Sequence, residues 1–340
     1  MPTRLRIARL AGQALTIPVV ALLVTPAVAQ NEAVQNPPSK SVERPKHTGR
    51  VLQVGPSRVL KTPSAAAKIA RSGDLIEIDA GAYRDCAVWR TPNLRIRGVG
   101  GYAHVRDVSC DEKAIWVFYA SPVQISQIRF SGARVRHNNG AGIRWEGHGR
   151  LLLEKSWVHN NQMGILAHNS KKSRIIIKGS KFEANGDCPE FCGHGVYVGH
   201  LWHLAIFDSE FSGHKHGHHI KSRAYHTEIT GNRIIDGADG TASYAINLPD
   251  SGTARISYNF VQQGPKTENS RAVVAIGEEG PWNKGGRVNP SRFIVIEGNV
   301  FRNDNRRKTN FVWNRGPDPV TLRNNRFNGP GVRYRKSRRK

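Results

Sequence analysis

From Leu151 onward one pattern returns seven times: LLLEKSWVHN, IIIKGSKFEAN, LAIFDSEFSG, TEITGNRIIDG, ARISYNFVQQ, IVIEGNVFRN and VTLRNNRFNG. Each has an aliphatic run, a Ser or Asn, an aromatic or aliphatic position and a polar turn. The markers are Ser156, Ser180, Ser209, Asn232, Asn259, Asn299 and Asn325, separated by 24, 29, 23, 27, 40 and 26 residues. Further short apolar runs lie between them: GIRW (142–145), GILA (164–167), GVYV (195–198), HHIK (218–221) and YAINL (244–248). Strand-and-turn units of this period build solenoids or propellers. A propeller blade needs about 40 residues and four antiparallel strands, and these units are shorter, with two or three strands each. The pattern therefore predicts an all-β solenoid, a parallel β-helix of about eight to nine coils between Leu75 and Phe327. In it, the Ser/Asn markers hydrogen-bond from coil to coil.

The sequence before the repeats fits this architecture. Thr62-Pro63-Ser64 followed by AAAKIARSG reads as an N-cap, a proline at the first helical position and a glycine stop. The expected short helix, ending at Gly73, would close the open first coil, whose bare edge would otherwise invite aggregation. Residues 1–29 read as a secretory signal. Arg4, Arg6 and Arg9 precede an apolar stretch, and Ala27-Val28-Ala29 is a small-x-small cleavage site. Gln13, Thr16, Pro18 and Pro26 interrupt that stretch, which argues against a membrane span of about 20 apolar residues. Residues 30–50, with Pro37, Pro38 and Pro45, are expected to be a flexible linker, 51–330 the β-helix, and 331–340 a basic tail that attracts polyanions. A secreted or periplasmic protein without an integral membrane segment follows, and a monomer is expected.

Export sets the meaning of the four cysteines, because thiols pair in oxidising compartments. Cys86 and Cys110 stand one coil apart, and Cys188 and Cys192 flank a three-residue loop. Two disulfides are predicted, since neither spacing fits a metal-thiolate motif.

Charge narrows the partner. There are 51 Lys+Arg against 26 Asp+Glu, a formal +25. Signal cleavage would remove three Arg and no acid, leaving +22. So large an excess, spread over a rod, predicts a polyanion. The apolar fraction is 38% and there are 34 glycines, enough together for a packed core rather than a disordered basic chain.

The run GDLIEIDAGAYRD, then NLRIRGVGG, then the Asn-ended coils resembles the right-handed parallel β-helix proteins of the pectin lyase-like superfamily over roughly residues 51–330. Within it, IKSRAYHTEITGNRI (220–234) is similar to the chondroitinase B and alginate lyase group, in which a Lys-Ser strand precedes an Asn-containing turn. The resemblance implies that Lys221 is the base that takes the proton alpha to a uronate carboxylate, and that calcium is a possible cofactor. The family's assisting Arg one coil later has no counterpart here, which leaves Arg223 or a His to substitute. No acidic calcium cluster is evident beyond Glu278 and Glu279, and no residues are assigned to a metal.

Strand alternation places Ile220, Ser222 and Ala224 inward, with His219, Lys221 and Arg223 outward in a row. Aligning Ile220 with Val198 and Ile246 puts Tyr197 and Gly199 on one side of this row and Ala245 and Asn247 on the other. Like charges would disfavour the ammonium form of Lys221. Eight of the fourteen histidines fall between His194 and His226. Alternating His214, His216 and His218 diverge along one strand, so zinc is not predicted. His194 and His200 are expected in the groove with Tyr197, Asn247, Glu278 and Glu279 as substrate-binding groups. Catalysis is assigned to Lys221, Arg223 and His219.

The leading expectation is an exported lyase that cleaves an anionic, uronate-containing polysaccharide by β-elimination. The alternative is a non-catalytic polyanion-binding or envelope structural β-helix protein. Nucleic acid is not expected, because stacking-aromatic motifs are missing. A glycosidase is disfavoured because it needs two carboxylates about 5–9.5 Å apart across the groove.

Overall fold

A computed structural model describes residues 49–188, 193–279, 289 and 293–337. Those residues wind into stacked coils in which every pairing between named strands is parallel, as in Arg150–Glu154 on Ser170–Lys178 and Trp157–His159 on Lys181–Glu183. One complete coil consists of the strands Leu201–Phe207, Glu210–Ser212 and Ile220–Ser222. The third strand of each coil builds a separate ten-stranded wall running from Ala87–Trp89 to Gly331–Lys336. The chain is a right-handed parallel β-helix with a single helix among the described residues.

Registration of like with like fills the interior. On one face Ile76, Ile96, Ile125, Leu153, Ile177, Ile206, Ile229, Ile256, Ile296 and Leu322 stand in line. On the next, Phe182 stacks on Phe211 with ring centroids 4.7 Å apart, and Phe301 on Phe327 at 5.4 Å. β-Branched and aromatic side chains suit such pleated stacks.

The Ser/Asn markers form one continuous ladder. The backbone N–H groups of Ser156, Ser180, Ser209, Asn232, Asn259 and Asn299 each donate to the side-chain oxygen of the next marker, at 2.8–3.2 Å. All but the last marker, Asn325, are buried, so the ladder satisfies turn N–H groups that water cannot reach.

The helix spans Pro63–Ile69, with Thr62 accepting from the Ala65 N–H at 3.3 Å. It covers the first coil through Ala66, part of the main core. It ends before Gly73, because Ala70 is already out of helical conformation and Gly73, at φ 90°, turns the chain into Leu75.

The basic C-terminus is also more ordered than a solvated tail. Gly331–Lys336 pairs with Thr309–Asn314 as the last wall strand, and Tyr334 packs against the core. Cys86 and Cys110 form a disulfide. Cys188 is disulfide-bonded as well, while Cys192, residues 1–29 and nearly all of 30–50 lie outside the described residues.

Candidate functional site

The outward side of the ten-stranded wall carries a row formed by Leu166, Tyr197, Lys221, Asn247, Ala275 and Trp313. Lys221 thus stands between Tyr197 and Asn247, about 4.8 Å from each at the backbone. The upstream register differs from the sequence expectation by two residues: Ile220 pairs with Val196, not Val198. A slip of two preserves which side chains face out, but it puts Tyr197 where Gly199 was expected. The Lys221 ammonium lies 5.4 Å from the Tyr197 ring centroid.

Two carboxylates complete the cluster from the following coil. After Ala272–Ile276 the chain turns at Gly277, where φ is 68° and a Cβ would lie 2.4 Å from Gly316. Only glycine fits there. The turn is fastened by Gly277 N–H to Leu248 O at 2.8 Å and Glu279 N–H to Pro249 O at 3.2 Å, which brings Glu278 and Glu279 over the wall. Lys221 Nζ donates to Glu279 Oε1 at 2.7 Å, and Arg223 Nη2 donates to Glu279 Oε2. Arg223 also chelates both Asp250 oxygens at 2.8 Å and donates from Nε to the Tyr197 hydroxyl at 3.1 Å. Lys221 and Arg223 therefore share a carboxylate; they do not form a row of unopposed cations.

The environment separates the two glutamates. Burial, then the adjacent Glu279 charge, pushes Glu278 up to about 7, against the pull of Asn247, Lys221 and Arg315. Glu278 Oε1 accepts from Asn247 Nδ2 at 2.6 Å, while Glu278 Oε2 and Asn247 Oδ1 are buried without partners. Burial also opposes ionisation of Glu279 and Asp250, but their cationic partners outweigh it and hold both below the usual carboxylate range. A neutral acid beside ionised carboxylates is a recurrent arrangement for acid–base chemistry.

The histidines divide. His219 does not join Lys221 and Arg223 in the groove. It is 1% exposed, bonded to Asp236 at 2.7 Å and packed on core Phe211, because alternation breaks where the strand leaves the corner of the coil. His200 Nε2 lies 2.9 Å from Asp250 Oδ2, outside good hydrogen-bond alignment. His194 accepts the His218 N–H at Nδ1 and stacks on the His218 ring at 4.8 Å. His218 stacks in turn on Tyr244 at 5.0 Å. Burial holds both well below the ordinary histidine range, reinforced at His194 by the charges of His218 and Lys221 and at His218 by those of Lys221 and His214. The sequence reading missed His218 and Tyr244 as parts of the site. Their spacing from His194, 24 and then 26 residues, is the coil period and could have revealed the stack.

Calcium does not fit this cluster. Glu279 is spent on two cations, Glu278 leans to its neutral form, and among the described residues no three His, Cys, Asp or Glu side chains converge on a point.

Fold and site together define a right-handed parallel β-helix protein that carries a mixed cation–carboxylate cluster on one wall. The family model described as "Right handed beta helix region" matches residues 118–278. Among solved structures the chain is similar to an alginate lyase from Paenibacillus sp. str. FPU-7 (15% identity, TM-score 0.60), covering 84% of this chain and 97% of that one. The Azotobacter vinelandii mannuronan C-5 epimerase AlgE4 A-module is similar at 12% identity and TM-score 0.39, with coverage of 78% and 89%. The pectate lyase Pel9A is similar at 12% identity and TM-score 0.43, with coverage of 82% and 78%. No curated protein matches the sequence.

Proposed function

We propose that this is an exported enzyme that cleaves a uronate-containing polysaccharide by β-elimination. One observation carries the reading: Lys221 and Arg223, from one strand, converge on a single carboxylate, that of Glu279. A uronate carboxylate seated there would pair with Arg223, whose charge would also stabilise the enolate that develops when the alpha proton leaves. Lys221, in its amine form, takes that proton. The electron pair forms the new carbon–carbon double bond and expels the glycosidic oxygen, which takes up a proton from water. Tyr197 and Asn247 flank the reacting ring from the neighbouring coils. His219, buried on Asp236, has no part in the step, and no metal is required by it. The large positive charge concentrates such a chain around the rod. Support for export comes from the N-terminal sequence and the Cys86–Cys110 disulfide, and among the described residues no helix is long and apolar enough to cross a membrane.

The test is to incubate the mature protein with polyuronates and glycosaminoglycans, with and without calcium, and to follow the ultraviolet absorbance of unsaturated products. Product is expected, and Lys221→Ala abolishes it while salt-sensitive binding persists. Binding without product from any of these glycans would leave the non-catalytic alternative, and full activity in Lys221→Ala would remove Lys221 as the base.

A further inference from the structure

Beyond the Lys221 cluster, the wall turns a corner at which an indole stands in solvent. Trp202 is 43% exposed, whereas Trp89, Trp116 and Trp145 are fully buried. A large ring left in water beside other aromatic rings offers an amphipathic face of the kind enriched at contact surfaces. Trp202 lies edge-on to His226, centroids 4.6 Å apart, and 6.4 Å from Tyr225 at an interplanar angle of 31°. The Lys171 ammonium sits 5.5 Å from the Tyr225 ring centroid. Lys171, Lys172 and Arg174, all exposed, edge this aromatic surface from the preceding coil. Glu228 is the acid contributed by the adjoining strand His226–Thr230.

The surface is tied to the cluster through the backbone. Tyr225 follows Arg223 by two residues, and its N–H donates to Leu201 O at 2.9 Å, next to Trp202. Two residues before Trp202, His200 reaches Asp250, which holds Arg223. A glycan leaving the Lys221 seat in this direction meets flat apolar rings and then cations. A pyranose ring has an apolar face of C–H groups and, in a uronate, an anionic edge. Rings beside ammonium groups complement both.

We infer that Trp202, Tyr225 and Lys171 form a second sugar-binding subsite, in which a uronic acid residue of the polysaccharide stacks on the Trp202 indole and presents its carboxylate to Lys171. This rests on the reading that the Lys221 cluster takes a polyuronate. The subsite holds a ring that is not being cleaved, so it contributes affinity for long chains and sets how much of the chain is anchored on that side of the cut.

The experiment is calorimetric titration of the full mature protein with alginate and with polygalacturonate, using dextran as a neutral control, beside the product assay. Trp202→Ala is expected to weaken polyuronate binding about tenfold, and Trp202→Phe, which keeps a flat ring, less. Lys171→Ala should lose a smaller share that shrinks as salt rises. Circular dichroism on each variant checks that the exposed substitutions leave the fold intact. Binding that depends on Trp202 without any product would overturn the lyase reading and leave the subsite standing. Product with unchanged affinity in Trp202→Ala would overturn the subsite and leave the lyase. No binding of either polyuronate, or equal binding of dextran, overturns the subsite outright.

Discussion

Lys221 donates a 2.7 Å hydrogen bond to Glu279, 58 residues further along the chain. With Arg223 on its other oxygen, Glu279 occupies the place in which a substrate carboxylate would pair with Arg223. The free protein thus carries an internal carboxylate between Lys221 and Arg223.

Glu279→Gln should therefore bind polyuronate more tightly than the wild type, by about fivefold, or ~1 kcal/mol for a part-exposed pair. The gain should shrink as salt is raised. Calorimetry on the two proteins measures it. Weaker binding in the variant would show that Glu279 holds Lys221 and Arg223 in place for the substrate and does not compete with it.

Glu278 predicts a pH dependence of stability. Its folded value is raised from 4.5 to about 7, so between those limits the folded protein holds a proton that the unfolded chain has lost. Stability falls as pH rises through that window, and the cost is complete above about 7. Glu278→Gln cannot titrate. Relative to wild type it should gain about 3 kcal/mol between pH 4.5 and pH 8 and nothing further above that, read from urea unfolding at a series of pH values. A difference that stays constant with pH would mean that Glu278 ionises normally in the fold.

The repeat made the fold legible because coil-to-coil contacts are between like positions, so the ladder partners of Asn232 or Ile229 can be read from the period alone. What the period leaves open is the loop between repeats. Glu278 and Glu279 reach Lys221 only because Gly277 turns the chain back, and nothing in the strand pattern states the direction of that turn. The sequence places both glutamates near the wall of Lys221 but not the pairing they make: Glu279 meets Lys221 and Arg223, and Glu278 meets Asn247. His219 shows the complementary limit. Alternation holds within a strand, and His219 sits where the strand becomes a corner, so it turns in toward Phe211 and Asp236. The short register Val196–Ile220 was open to a slip of two because GVYV offers valines two residues apart, either of which fits inside.

The Cys86–Cys110 disulfide closes 24 residues, one coil, and should contribute about 3 kcal/mol through the entropy it removes from the unfolded chain. In a solenoid each coil contacts only its neighbours, so the loss in Cys86→Ser should be local. Hydrogen exchange should speed up around Trp89 and Trp116 while the coils beyond Asn259 keep their protection. Uniform acceleration along the rod would show that the coils unfold as one cooperative unit.

Asn259 tests what the marker ladder contributes. Its Oδ1 accepts from both the N–H and the Nδ2 of Asn232, at 2.8 and 3.0 Å, and its Nδ2 donates to Ile229 O and Asn299 Oδ1, each at 2.9 Å. Asn259→Ala leaves these buried groups without partners and should cost about 3 kcal/mol. Upstream, serines fill the same position, and Ser180 and Ser209 accept the neighbouring N–H as the asparagines do. Asn259→Ser should keep that acceptor and lose the reach to Ile229 and Asn299, costing about 1–2 kcal/mol. Urea unfolding of the two variants separates the roles. If serine costs as much as alanine, it is the amide's donation across coils that holds the ladder, and the serines upstream must be compensated by their tighter aromatic stack, Phe182 on Phe211.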